Sequence, residues 1–279
     1  MVGLKYDEAQ WTNNELGNTA NEQIKPTIYV QTETVKFKGK LFVIKDIGFT
    51  KDNSGENISI KNPYYCELTG LYWAWKNLDS EYIGLAHYRR HFSMKKKSKN
   101  PFGNVLTYKE LAPLTRKYKI FVPKKRKYYI ETLYSHYAHT HYAEHLDAAK
   151  KIISEKYPEY LPSCNKIYNQ TFGYMFNMMI MKKELFSSYC QWLFDILFEL
   201  EKRIGNTSKD LSFFQGRFYG RVSEIIFNVW LDQQIRSGSV KMDDIREIPC
   251  IYMEKIDMKR KVISFIKAKF FKKKYNGSF

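Results

Sequence analysis

Five consecutive apolar residues, Tyr82-Ile-Gly-Leu-Ala86, stand between Glu81 and the basic cluster His87-Tyr-Arg-Arg-His-Phe92. An apolar run of this length bounded by charge predicts a strand covered on both faces, as strands inside α/β sheets are. The same signal recurs in Thr27-Ile-Tyr-Val30, Leu41-Phe-Val-Ile44, Lys119-Ile-Phe-Val122 and Phe176-Asn-Met-Met-Ile-Met181. Helices are predicted between these runs. Asn62 and Pro63 supply an N-cap and a first-turn proline for a helix to about Asn77. Further helices follow over Glu144–Lys156, over Leu185, Tyr189, Trp192, Ile196, Leu200 and Ile204 at helical spacing, and from Val222 to about Arg236. Alternating strands and helices predict an α/β fold with a largely parallel central sheet. Residues 1–26 read as an irregular arm, 27–254 as the main domain and 255–279 as a basic amphipathic tail.

Charge narrows the partners. Among 279 residues, 46 Lys and Arg oppose 29 Asp and Glu, a net +17, so anionic partners are expected. From Lys255 to Lys274 there are nine Lys or Arg and one Asp, which supply +8 of that excess. Lysine stems beside Met258, Val262, Phe265 and Ile266 suit an anionic membrane surface, with a solvated tail as the competing reading. The longest charge-free stretches, such as Ile167–Met181, fall short of the roughly 20 residues a bilayer needs, so no transmembrane helix is expected. Met1–Gln23 lacks the basic start and apolar run of a secretory signal, which predicts a cytoplasmic chain, peripheral at the inner face of the plasma membrane. Cys66, Cys164, Cys190 and Cys250 are widely spaced and read as packing residues in a reduced compartment. No nucleic-acid motif accompanies the charge, so nucleic acid is not an expected partner.

Several constellations carry chemistry. In open α/β sheets ligands gather beyond the carboxyl ends of strands, which places Arg89 and Arg90 to neutralise a diphosphate and His87 to donate to it or to a sugar hydroxyl. An ordinary basic turn, with one arginine paired to a core carboxylate, stands equal to that reading. Glu67 is expected about one turn into its helix among apolar neighbours, facing a site or capping local backbone. Helix capping suffices to explain Asn62. His136 and His139 are one helical turn apart in a tyrosine-rich stretch and read as a polar wall for a ligand, ahead of a metal site and beside plain helix packing. Glu224 lies on an otherwise apolar helix with Asn228 one turn later, which suggests a general base; a salt bridge to Arg221 or Arg217 is the alternative.

Read together, Glu56-Asn-Ile-Ser59, Asn62 to Asn77, Tyr82 to Arg90, Pro123 to Tyr137 and Phe176 to Lys183 resemble the bacterial capsular and exopolysaccharide glycosyltransferase family long catalogued as a domain of unknown function. The resemblance spans residues 27 to 270. It implies a GT-A-like, nucleotide-diphospho-sugar transferase fold and transfer of a hexosyl unit, galactofuranosyl in some relatives, from a nucleotide diphosphate sugar to a lipid-linked oligosaccharide. The resemblance implies Glu224 as base and Asn177 as a sugar contact; together with the residue readings, donor contacts are expected from Thr32, Asn57, Asn62, Glu67, Arg89 and Arg90, sugar or acceptor contacts from His136, His139, Asn177 and Asn228, and catalysis by Glu224 and His87. Where such folds carry a metal-binding Asp-x-Asp, this chain reads His87-Tyr88-Arg89, so neither a metal nor another cofactor is expected and a single inverting displacement is. The nearest acidic pair, Asp79 and Glu81, is expected at the opposite end of the strand. A non-catalytic glycan- or nucleotide-binding protein is the alternative.

Overall fold

The computed structural model describes residues 2–6, 27–28, 35–37, 40–42, 50–87, 89–95, 102–206, 211–253, 258–271, 273–275 and 277. In chain order these begin with β1 (Val2–Tyr6), β2 (Thr27–Ile28), β3 (Val35–Phe37), β4 (Lys40–Phe42), α1 (Asn62–Tyr65) and α2 (Leu68–Asn77). Next come β5 (Tyr82–Ala86), β6 (Arg90–Phe92), α3 (Tyr108–Thr115), β7 (Ile120–Pro123), β8 (Arg126–Lys127), α4 (Leu133–Thr140), α5 (Glu144–Lys156) and α6 (Leu161–Asn169). The remainder is β9 (Phe172–Gly173), β10 (Met179–Lys182), α7 (Lys183–Ile204), α8 (Phe218–Arg236), β11 (Ile245–Ile248), β12 (Cys250–Tyr252) and α9 (Met258–Phe271). They fall into two compact units. The first comprises Met1–Lys124, Asn177–Cys190 and Lys241–Met253, and the second Lys125–Phe176, Gln191–Val240 and Glu254–Phe279.

The first unit is built on a six-stranded sheet in the order β11-β7-β10-β5-β1-β2. All five residues of β5 are buried, as its apolar run predicts. Where β5 and β10 pair, Gly84 sits opposite Ile180, and a Cβ there would come within 2.8 Å of the Ile180 side chain and the Met179 carbonyl; only glycine permits this approach. The expectation of a largely parallel sheet is wrong. Among the described residues only β11 and β7 run parallel, and the other pairings in the sheet are antiparallel. The reason lies in the excursion after β7. Residues 125–176 fold into the second unit instead of forming a crossover, so β10 starts at the sheet end where β7 stopped. The irregular-arm reading is corrected in the same way: Val2–Tyr6 is a strand paired with all of β5, and residues 7–26 lie outside those described.

Two predicted elements are shortened by left-handed backbone. The helix expected from Asn62 to Asn77 breaks at Cys66 (φ 55°, ψ −127°), which leaves α1 and α2 with Glu67 as the residue preceding α2. Both Tyr65 and Leu68, on either side of the break, are fully buried. The strand expected from Phe176 starts only at Met179, because Phe176 (φ 78°) and Asn177 (φ 52°) turn the chain first.

The second unit is largely helical. Its core includes Leu146, Ile152, Ile153, Leu193, Phe194, Phe218 and Trp230, all fully buried or nearly so. The short pair β8–β9 joins Arg126 to Gly173 and Lys127 to Phe172. The segment α9 belongs to this unit, with Ala268 buried and Phe265 stacked on His136 at 5.9 Å between ring centroids. All four cysteines are free thiols, three buried and Cys250 half-buried.

Candidate functional site

In the first unit the carboxyl ends of β5, β7 and β11 and the amino end of β10 share one end of the sheet. The chain turns there from β5 into β6, with Arg90 N–H donating to the His87 carbonyl (2.9 Å) and Arg89 N–H to His87 Nδ1 (3.1 Å). Because Nδ1 accepts, the neutral imidazole carries its proton on Nε2, a donor. Met253 N–H binds the Arg89 carbonyl (2.9 Å), and β6 pairs with β12 so that Arg90 lies opposite Tyr252, its guanidinium 5.3 Å from the ring centroid. Arg89 and Arg90 are half-buried at this end of the sheet. Asp79 and Glu81 are at the opposite end, where the Glu81 carbonyl accepts from Lys183 N–H (2.8 Å) and Lys183 pairs with Asp79.

The left-handed turn before β10 aims Asn177 at Glu67. Its Nδ2 donates to Glu67 Oε1 at 2.6 Å, a contact 110 residues apart in sequence and not foreseen as a pair. Asparagine tolerates the left-handed region better than most residues, whereas Phe176 beside it does not. Three positive-φ residues, Cys66, Phe176 and Asn177, thus flank one carboxylate–amide contact. Backbone strain of this kind collects at functional sites.

The neighbouring donor candidates serve as scaffold. Asn62 does not cap its helix; its Nδ2 donates to the Cys66 carbonyl (3.0 Å) and to Thr69 Oγ1 (2.9 Å). Buried Asp52 accepts from the hydroxyls of Ser59 and Thr69, each at 2.6 Å, which satisfies its carboxylate away from water. Sequence alone assigns Asp52 no role; its signal is the pair of hydroxyl residues, Ser59 and Thr69, seven and seventeen positions later. Exposed Asn57 is spent on a local turn, with Nδ2 to the Gly55 carbonyl and Oδ1 from Ser59 N–H. Thr32 lies outside the described residues.

In the second unit His136 and His139 do not line an open wall. Their Nδ1 atoms meet Glu131 Oε2 and Oε1 at 2.7 and 2.6 Å, and Lys269 Nζ stands 3.7 Å from Oε1. Glu131 is only 3 % exposed. Burial alone would raise its pKa, but the hydrogen bonds from His136 and His139 outweigh that and hold the carboxyl below its ordinary value. Burial pushes His136 below the usual imidazole value, only partly offset by Glu131, so a neutral ring donates Nδ1–H to the carboxylate. Glu131 went unnoticed in the sequence, although residues five and eight positions later are the histidines it holds. Asn228 is a clamp: Oδ1 accepts from Tyr174 N–H (2.7 Å), and Nδ2 donates to the carbonyls of Tyr174 (2.9 Å) and Glu224 (2.8 Å). Its expected sugar contact is replaced by a strand-like pairing that occupies the whole amide. Glu224 is half-buried on α8, and its charge reaches half-buried Tyr128, whose hydroxyl is pushed up to about 12 chiefly by loss of water around it, with Arg126 pulling the other way and Glu224 adding to the rise. Among the described residues no group of three or more His, Cys, Asp and Glu side chains is arranged to hold a metal ion.

The chain has 28% sequence identity and a TM-score of 0.67 to the apo structure of the bifunctional glycosyltransferase WbbM, over 75% of this chain and 40% of that one. It therefore spans less than half of WbbM's length. Comparison with the curated proteins finds no match. A family model described as a domain of unknown function, DUF4422, matches residues 27–235, which is most of the sequence, and the chain belongs to that family.

Proposed function

We propose that this chain is a glycosyltransferase that moves a hexosyl unit, galactofuranosyl in the sharpest form of the reading, from a nucleoside diphosphate sugar to a lipid-linked glycan in capsule or exopolysaccharide synthesis. The carrying observation is the sheet end where half-buried Arg89 and Arg90 stand beyond β5. The likeness to WbbM supports the same class of chemistry. A guanidinium fork suits a diphosphate, and in a partly dry setting its fixed charge stabilises the negative charge that develops on the leaving nucleotide. The donor contacts in this reading are Arg89, Arg90 and the Glu67–Asn177 pair, with His87 Nε2–H as a further donor to the phosphate or a sugar hydroxyl.

In the proposed step the acceptor oxygen forms a bond to the anomeric carbon as the bond from that carbon to the diphosphate oxygen breaks. Glu224 takes the acceptor's proton, and the nucleoside diphosphate leaves as an anion between the guanidinium groups. A single displacement inverts the anomeric centre. A divalent cation of the kind Asp-x-Asp transferases hold does not fit here, since His87 Nδ1 is engaged by Arg89 N–H and the cluster continues with two cations, Arg89 and Arg90, in place of carboxylates. The reaction is placed at the inner face of the plasma membrane, where a lipid-linked acceptor would be presented.

The test is release of nucleoside diphosphate from a panel of nucleotide sugars in excess chelator. Glu224→Gln is expected to lower turnover about 10²–10⁴-fold, while the donor still raises the melting temperature. Near-normal turnover would remove Glu224 from the role. A strict need for manganese or magnesium would overturn the metal-free step, and donor binding without any turnover would favour a binding protein.

A further inference from the structure

In the second unit two sets of apolar side chains face solvent, and exposed Lys259 and Lys267 lie on the same helix as the first set. On α9, Val262, Ile263, Ile266, Phe270 and Phe271 are exposed, the last two by 69 and 67%. In the turn after β8, Tyr129 and Ile130 are exposed by 81 and 71%, with Tyr129 held in the left-handed region at φ 60°. A bulky residue at positive φ is strained, and this one turns an aromatic ring into water instead of into the core.

The two sets are adjacent because their neighbours are pinned together. Glu131, directly after Ile130, lies 3.7 Å from Lys269, directly before Phe270. His136 packs against Tyr128 at 4.4 Å and against Phe265 at 5.9 Å, which joins the residue preceding the tip to the inner side of α9. Phe265, Ala268 and Lys269 thus dock the helix, and the side chains left over form its outer row. The sequence of α9 carries Lys259, Arg260, Lys261, Lys267 and Lys269 with no acidic residue, and Lys272 to Lys274 follow.

We infer that the outer row of α9 and the Tyr129–Ile130 tip form one composite surface that seats this unit on an anionic lipid bilayer. Large apolar side chains framed by cations match the boundary between acyl chains and acidic headgroups, into which such faces sink roughly 5–10 Å. A second copy of a chain with net +17 would bring the same cations against each other. All of α9 lies beyond the family-matched residues 27–235, whereas the Tyr129–Ile130 tip lies within them, so the helix adds a feature of this chain to a tip of the shared domain. The inference deepens the proposed function and rests on it only for the place where the chain works.

Flotation of the full chain with vesicles tests it without donor or acceptor, so a negative result leaves sugar transfer untouched, and donor turnover measured without vesicles is judged separately. The chain is expected to float with vesicles of equal parts phosphatidylcholine and phosphatidylglycerol, to stay behind with phosphatidylcholine alone, and to be released by salt. Phe270→Ser with Phe271→Ser, and separately Tyr129→Ser with Ile130→Ser, should each reduce the bound fraction about tenfold, with melting temperatures near wild type because these side chains are exposed. Binding that survives both double substitutions overturns the surface. Loss with the α9 pair but not the tip pair overturns its composite nature, and self-association abolished by either pair, with no vesicle binding, assigns the face to a second copy.

Discussion

Two carboxylates on the two units make opposite use of their surroundings. Glu67 is half-buried, receives Asn177 at 2.6 Å, and is bordered by three residues with left-handed backbone. Glu131 is almost fully buried and is closed in by two histidines and a lysine, and the positive φ nearest it, at Tyr129, turns a ring to solvent two residues before it. The first arrangement keeps a polar group near water at the cost of local strain, as a group that must meet a ligand requires. The second saturates a buried charge, which is how a fold locks elements in place. In the proposed reading, partial burial with strain belongs to the ligand-facing end of the sheet unit, and saturation to the scaffold of the helical unit.

The largest effect expected from this contrast is on turnover. Replacing Arg89 and Arg90 together by Ala should lower kcat about 10²–10³-fold or more, with a melting temperature close to wild type. A variant that turns over donor normally would show the sheet end to be scaffold as well. On the other side, Glu131→Ala should destabilise the protein by about 3 kcal/mol, since it leaves Lys269 and two imidazoles around an emptied site, and denaturant titration reads this directly. The pH dependence has a worked sign. The folded-state pKa values of His136, His141 and His145 all lie below the ordinary 6.5, chiefly through burial, and His145 is pushed down to about 3. A depressed pKa gives stability that is full above the unfolded value and declines as pH falls below it. Thermal stability should thus drop as pH falls from 6.5, and the Glu131 contribution should go below its ordinary 4.5. A melting temperature that rises on acidification through this range would contradict the burial of these rings.

Most of the element content was legible because it depends on local pattern. The run Tyr82–Ala86 is β5, the predicted span Glu144–Lys156 is α5, and the helical spacing from Leu185 to Ile204 lies within α7. Sheet direction was not legible, since it depends on where the chain re-enters after the excursion of residues 125–176 and no short-range signal encodes that. The breaks at Cys66 and Phe176–Asn177 were missed for a related reason: their φ values are imposed by tertiary contacts, and neither place carries the glycine that normally announces a left-handed residue. At the site, residue types were readable while partnerships were not. The histidine cluster was visible, but the carboxylate that consumes it was not. Asn177 and Asn228 looked alike, yet one faces a carboxylate and the other clasps a peptide group.

That pair of asparagines gives the finer tests. Asn228→Ala should cost about 1–3 kcal/mol of stability, because Tyr174 N–H and C=O lose their partner inside the fold, and KM for donor should scarcely move. Asn177→Gly separates the two roles most closely. Glycine accepts φ 52° without strain, so the substitution relieves local backbone energy while deleting the amide that reaches Glu67. The two effects oppose each other in stability, and the net change should stay within about 1 kcal/mol. Donor turnover has no such compensation and should fall several-fold. If turnover is retained while stability drops as it does for Asn228→Ala, the Glu67–Asn177 contact is scaffold too, and strain at that turn serves only to start β10.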